Sequence, residues 1–181
     1  MAAIACPPEC VYLEPNVEYQ QKRIGEHFEH DRQIFYRELL AFGGEKAAEA
    51  FYFLEVITFK YFHHRHDGQD GEIIAAVQAL RHSFSPLHVP DTMLPAFAET
   101  LKKEYTALLD GRDIDTQVIN EVLDRGLQFI KRFSGENFRS NRFLSGLTGF
   151  LKSRHPDVAE QLMQLRSDSH ILLPSGTKFE G

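Results

Sequence analysis

The sequence predicts an all-α fold, a single-domain bundle of about six to seven helices around a central apolar helix. Three observations carry that expectation. Apolar residues recur at the three- and four-residue steps of a helix face, no segment reads as a strand, and capping or breaking residues fall between the periodic runs. A chain of 181 residues also has room for one domain with a substantial core.

Residues 1–15 read as an extended, proline-punctuated lead-in, and Asn16 is placed to cap a long first helix over 17–42. Ile24, Phe28, Phe35, Leu39 and Phe42 form its stripe, and Gly43-Gly44 is its stop. The second helix, 45–66, is apolar on nearly every side and so belongs at the centre of the bundle. A loop at 67–71 leads to the helix "EIIAAVQALRHSF" and the breaker "SPLHVPD". Asp91 is expected to cap the next helix, with Pro95 in its first turn and Gly111 beyond its end. Asp115 caps the following one, whose Ile119, Val122, Leu123, Leu127 and Ile130 share a face. Gly126 on that face predicts close approach of another backbone. "SNRFLSGLTGFLKSR" and a short helix opened by Pro156 complete a helical domain over 16–168. The tail, 169–181, carries one apolar patch at 171–173.

Composition narrows the function classes. Fifteen Phe and no Trp predict an aromatic core that buries area without needing hydrogen-bond partners. No apolar run reaches the roughly 20 residues of a membrane-spanning helix, and the N-terminus lacks the features of a signal peptide, so a cytoplasmic protein is expected. Cys6 and Cys10 alone cannot complete a four-ligand zinc site. The net charge of −6 argues against wholesale nucleic-acid binding. Its distribution is uneven, because from Arg125 to His155 seven basic residues face one acid, giving +6 there against −12 elsewhere.

Candidate sites follow from residue chemistry. His63, His64 and His66 lie at the end of the apolar helix, where imidazoles can bind metal or complement the helix dipole. Neighbouring positions diverge on a helix, so the dipole reading is the simpler. His27 and Asp31 share a face of the first helix, and Glu38 follows on the same side. Glu55 stands among Phe51, Leu54, Phe59 and Phe62, and a carboxylate there must be paired, metal-bound or neutralised.

Two enzyme patterns are relevant. A carboxylate-bridged dimetal bundle uses Glu-x-x-His, which the chain does not contain. His30 and the dipeptide His66-Asp67, with Asp113, Asp115 or Asp124 beyond, loosely resemble the order of ligands in the metal-dependent phosphohydrolases called HD domains. That resemblance implies a divalent metal held by His30, His66 and Asp67, with Glu55 as a further acid. "HHRHDGQDG" departs from the family's His-Asp-x-Gly-Lys pattern. No nucleophile elbow, Walker loop or dinucleotide fingerprint is present.

The leading expectation is a regulatory or protein-interaction module that binds an acidic or anionic partner through its basic C-terminal half. Arg132, Arg139, Arg142 and Lys152 are the residues expected to carry the contact. A close helix crossing at Gly146 and Gly149 is the competing explanation of the small residues nearby. The metal-dependent hydrolase is the second reading. A helical sensor holding an apolar or haem-type ligand among the phenylalanines, with His27, His30 or His64 as axial ligand, is the third.

Overall fold

The computed structural model of the protein describes residues 13–65, 67–84 and 94–164. Cys6, Cys10, His66, Asp91 and the tail patch lie outside them. Six helices and no strand are found among the described residues: α1 (Leu13–Phe62), α2 (Asp70–Ser83), α3 (Ala96–Leu109), α4 (Thr116–Ser134), α5 (Arg142–Arg154) and α6 (Pro156–Gln164). The all-α expectation holds.

α1 is two helical limbs joined at Gly44, whose φ of 64° and ψ of −154° interrupt the helix. A residue with a Cβ resists that conformation, which is why the Gly43-Gly44 stop works. The limbs fold back on each other as a helical hairpin. Arg32 on the first and Glu55 on the second are bonded, although 23 intervening steps of straight helix would separate them by about 35 Å. Phe35 and Phe51 meet across the same seam, with ring centroids 4.8 Å apart. Counted as limbs, α1 supplies both of the long helices read from the sequence.

Boundaries differ in four places, each for a local reason. The first limb already runs at Leu13, so Asn16 lies inside the helix; Pro15 is tolerated because first-turn N–H groups have no intrahelical acceptor. The second limb stops at Phe62, leaving His63 and His64 in a turn. α2 begins at Asp70, with Gln69 and Glu72 forming a reciprocal capping box. Pro95 precedes α3 as its cap. The Asp115 cap of α4 is as expected, its carboxylate accepting from the Gln117 N–H at 2.6 Å.

The second limb is the buried centre, with residues 50–59 all buried. α5 packs on α1, α2 lies against α3 and α4, and α6 closes on α5 and α1. The α5 crossing is close because it is made of glycine on both sides. A Cβ on Gly25 would lie 2.9 Å from the Gly149 and Phe150 backbone, and one on Gly146 would meet Phe28 at 2.9 Å. The contact at Gly126 is different from the one expected: its neighbour is the Phe51 ring, not a backbone.

The phenylalanines fill the interior against one another. Phe28 sits at the junction of α1, α4 and α5, with ring centroids of Phe129, Phe133, Phe143 and Phe150 between 5.3 and 5.9 Å away. Edge-to-face and offset arrangements of this kind suit the ring quadrupole. α3 and the turn that follows it are pinned to the second limb, α3 by Lys60–Glu104 at 3.0 Å and the turn by Arg112–Glu49 with Lys46–Asp113.

Candidate functional site

The basic segment resolves into paired and unpaired cations. Arg125 bonds Glu121 at 2.8 Å one turn earlier and lies over the Phe42 ring. Arg154 reaches Glu29 at 2.8 Å. Among the described residues, Arg132, Arg139, Arg142 and Lys152 have no acidic partner, and all four are exposed.

Three of the four belong to one place. Arg132 is in the last turn of α4, and its guanidinium lies 6.0 Å from the Phe129 ring centre. Arg142 opens α5 and lies 5.3 Å from the Phe133 ring centre. Phe129 and Phe133 are adjacent rings, 6.5 Å apart, so the two arginines lean on a common aromatic floor. Arg139 is in the connection between these helices, beside Phe138, which is 40% exposed. Lys152 is ten residues along α5 from Arg142, about 15 Å away along the axis and on a different side. Ser145 and Gly149, which lie between the two in sequence, are buried, Gly149 in the crossing with α1.

The connection itself is held from outside. α4 ends at Gly135, whose φ of 73° turns the chain and whose N–H bonds back to the Lys131 carbonyl. The Asp70 N–H donates to the Ser140 carbonyl at 2.8 Å, and the Gly71 N–H to the Phe138 carbonyl at 2.8 Å. Asn141 occupies the N-cap position of α5 but makes no side-chain cap. Asp70, fully buried, supplies that function from α2: its carboxylate accepts from the Phe143 N–H at 2.9 Å and the Leu144 N–H at 3.2 Å. Burial pushes the Asp70 carboxyl above its ordinary range, while the bonds from the α5 backbone oppose that shift.

Asp70 is the residue that the sequence reading missed. "QDG" resembles turn punctuation, and the cap spans 73 residues of sequence, so no local spacing marks it.

Glu55 is committed elsewhere. One carboxylate oxygen accepts Arg32 Nε at 2.8 Å; the other accepts Arg32 Nη2 and the Tyr36 hydroxyl, each at 2.7 Å. Arg32 also lies 4.0 Å from the Tyr36 ring centre and 4.7 Å from that of Phe150. Burial works against the Arg32 charge, but Glu55 more than offsets it, and the guanidinium is held in its charged form. Burial, then Glu55, pushes the Tyr36 hydroxyl well up. The buried carboxylate is therefore an internal ion pair between the limbs.

The histidine-rich turn ends the second limb. His63 Nδ1 lies 2.9 Å from the Lys60 carbonyl and 3.2 Å from that of Phe59, so it carries the proton and donates to the terminal carbonyls. Its Nε2 is buried with no partner among the described residues. Burial and the adjacent His64 lower its pKa, so the group that closes this helix is a neutral imidazole where the sequence suggested a cation. His64, His27 and His30 are exposed. Asp67 is exposed and bonded to Arg65 at 3.3 Å. Among the described residues no three His, Cys, Asp or Glu side chains are grouped to hold a metal, and no helix is long and apolar enough to cross a membrane.

Comparison with protein-family models, curated proteins and solved structures finds no match.

Proposed function

We propose that the protein is an all-helical interaction module that binds an acidic segment of a partner protein through Arg132, Arg139 and Arg142. One observation carries the reading: these exposed guanidiniums share the end of the α4–α5 pair and lack acidic partners among the described residues, while Arg125 and Arg154 of the same segment are paired. A planar guanidinium matches a carboxylate with two parallel hydrogen bonds, and leaning on an aromatic ring limits the side-chain freedom lost on binding. Phe138 adds an exposed apolar contact at the same place. The acidic balance of the remaining chain disfavours a long polyanion, which would be repelled beyond the patch.

The test is fluorescence anisotropy with a labelled hexaglutamate peptide. Reversing all three charges (Arg132→Glu, Arg139→Glu, Arg142→Glu) is expected to weaken binding roughly tenfold or more, with helicity and thermal unfolding preserved. Lys152→Glu changes net charge equally per site but lies beyond the screening length at physiological salt, and is expected to change affinity little. Equal losses from Lys152→Glu and from a single arginine reversal would leave only a non-specific charge effect.

A further inference from the structure

The first turn of a helix ordinarily offers unpaired N–H groups and a positive dipole end, the combination that seats a compact anion such as phosphate. At α5 that seat is beside Arg142, Arg139 and Arg132, so the basic face would by default prefer phosphate. It is already filled. The Asp70 carboxylate, fully buried, accepts from the N–H groups of Phe143 and Leu144 at 2.9 and 3.2 Å.

The same residue fixes where the arginines stand. Its N–H holds the Ser140 carbonyl, and that of Gly71 holds the Phe138 carbonyl, both at 2.8 Å. A Cβ at Gly71 would come within 3.0 Å of the Phe138 oxygen, so the strand of chain that carries Arg139 is in direct backbone contact with the start of α2. The Asn137 carbonyl closes the connection by accepting from the Ser140 N–H at 3.0 Å. Arg139 and Arg142 thus project from a backbone pegged at both ends.

We infer that Asp70 is a positioning residue of the basic face, and that by occupying the α5 N-terminus it makes the face select a spread row of carboxylates, as in an extended acidic peptide, over a compact phosphate. The inference rests on the proposed function and adds the class of ligand. A phosphate approaching Arg142 finds the Phe143 and Leu144 N–H groups already bonded to the Asp70 carboxyl behind them. A row of carboxylates needs only the separate guanidiniums.

The test is a competition. The labelled hexaglutamate peptide is bound to the intact protein and then challenged with inorganic phosphate, with sodium chloride of equal ionic strength as reference. For the natural protein, phosphate is expected to displace no more peptide than chloride does. In Asp70→Ala, where the α5 N–H groups are opened, phosphate is expected to displace peptide several-fold more effectively than chloride, and peptide affinity is expected to fall about tenfold. Asp70→Asn keeps the shape of the side chain with one acceptor oxygen. It is expected to fall between the two, and serves if the alanine variant does not fold.

Preferential displacement by phosphate in the natural protein would overturn the selectivity while leaving an arginine-dependent face intact. Unchanged peptide affinity and unchanged phosphate response in a folded Asp70 variant would overturn the positioning role. Absence of arginine-dependent peptide binding would overturn the proposed function, and this inference with it.

Discussion

Arg32 and Glu55, 23 residues apart in sequence, are joined by two hydrogen bonds of 2.8 and 2.7 Å across the fold-back of α1. Glu55 is 3% exposed, and its second oxygen also accepts from Tyr36, itself buried. The arrangement fixes the register of the two limbs, because sliding either by one residue would leave a charge buried without its partner.

Breaking this pair from one side is expected to be severe. Glu55→Ala strands the Arg32 guanidinium and removes the carboxylate acceptor of the Tyr36 hydroxyl, and should destabilise the protein by about 3–5 kcal/mol in urea unfolding. The apolar replacement Arg32→Met/Glu55→Leu/Tyr36→Phe removes all three polar groups together and is expected to recover most of that loss. A triple variant no more stable than Glu55→Ala would show that the network contributes more than the desolvation it offsets.

The glycine contact at the α1–α5 crossing gives a second expectation. A methyl group on Gly25 meets backbone atoms of Gly149 and Phe150 at 2.9 Å, and backbone cannot rotate away as a side chain can. Gly25→Ala raises helix propensity by about 1 kcal/mol, yet overpacking at this crossing is expected to destabilise the protein by about 1–3 kcal/mol. A rise in melting temperature would mean that the helices separate at little cost.

How much of this was legible in the sequence differs between near and distant features. The Gly43-Gly44 break, the Asp115 cap and the Pro156 start are local, since each depends on which φ or which orphan N–H a single residue serves. The central placement of the second limb followed from its all-round apolar character. The Glu55 carboxylate was marked by its apolar surroundings, but Arg32 as partner was only one of the cations available to it. Asp70 was invisible, because a cap supplied to another helix 73 residues away has no sequence period. Arg132, Arg139 and Arg142 were visible as a charge run; their common aromatic floor, and the remoteness of Lys152, required the fold.

His63 carries a pH dependence. Its folded pKa is lowered by burial and by His64, so the native state binds fewer protons than the unfolded state just below the ordinary value of about 6.5. Stability from this group is therefore present above about pH 6.5 and is lost as pH falls from there toward the lowered folded value. The physical reason is that protonation at Nε2 would place an N–H in a buried position where no acceptor stands among the described residues. His63→Gln is expected to flatten the unfolding free energy across that window. A His63 NMR titration midpoint at or above about 6.5 would contradict it.

The most direct test of the basic face maps where an acidic ligand lands. In a ¹⁵N NMR titration with the hexaglutamate peptide, the amides of residues 138–142 and of Arg132 are expected to shift most, with those around Lys152 nearly unmoved. Shifts centred on any other surface, or no saturable shifts at all, would contradict the assignment of Arg132, Arg139 and Arg142 as the partner-binding site.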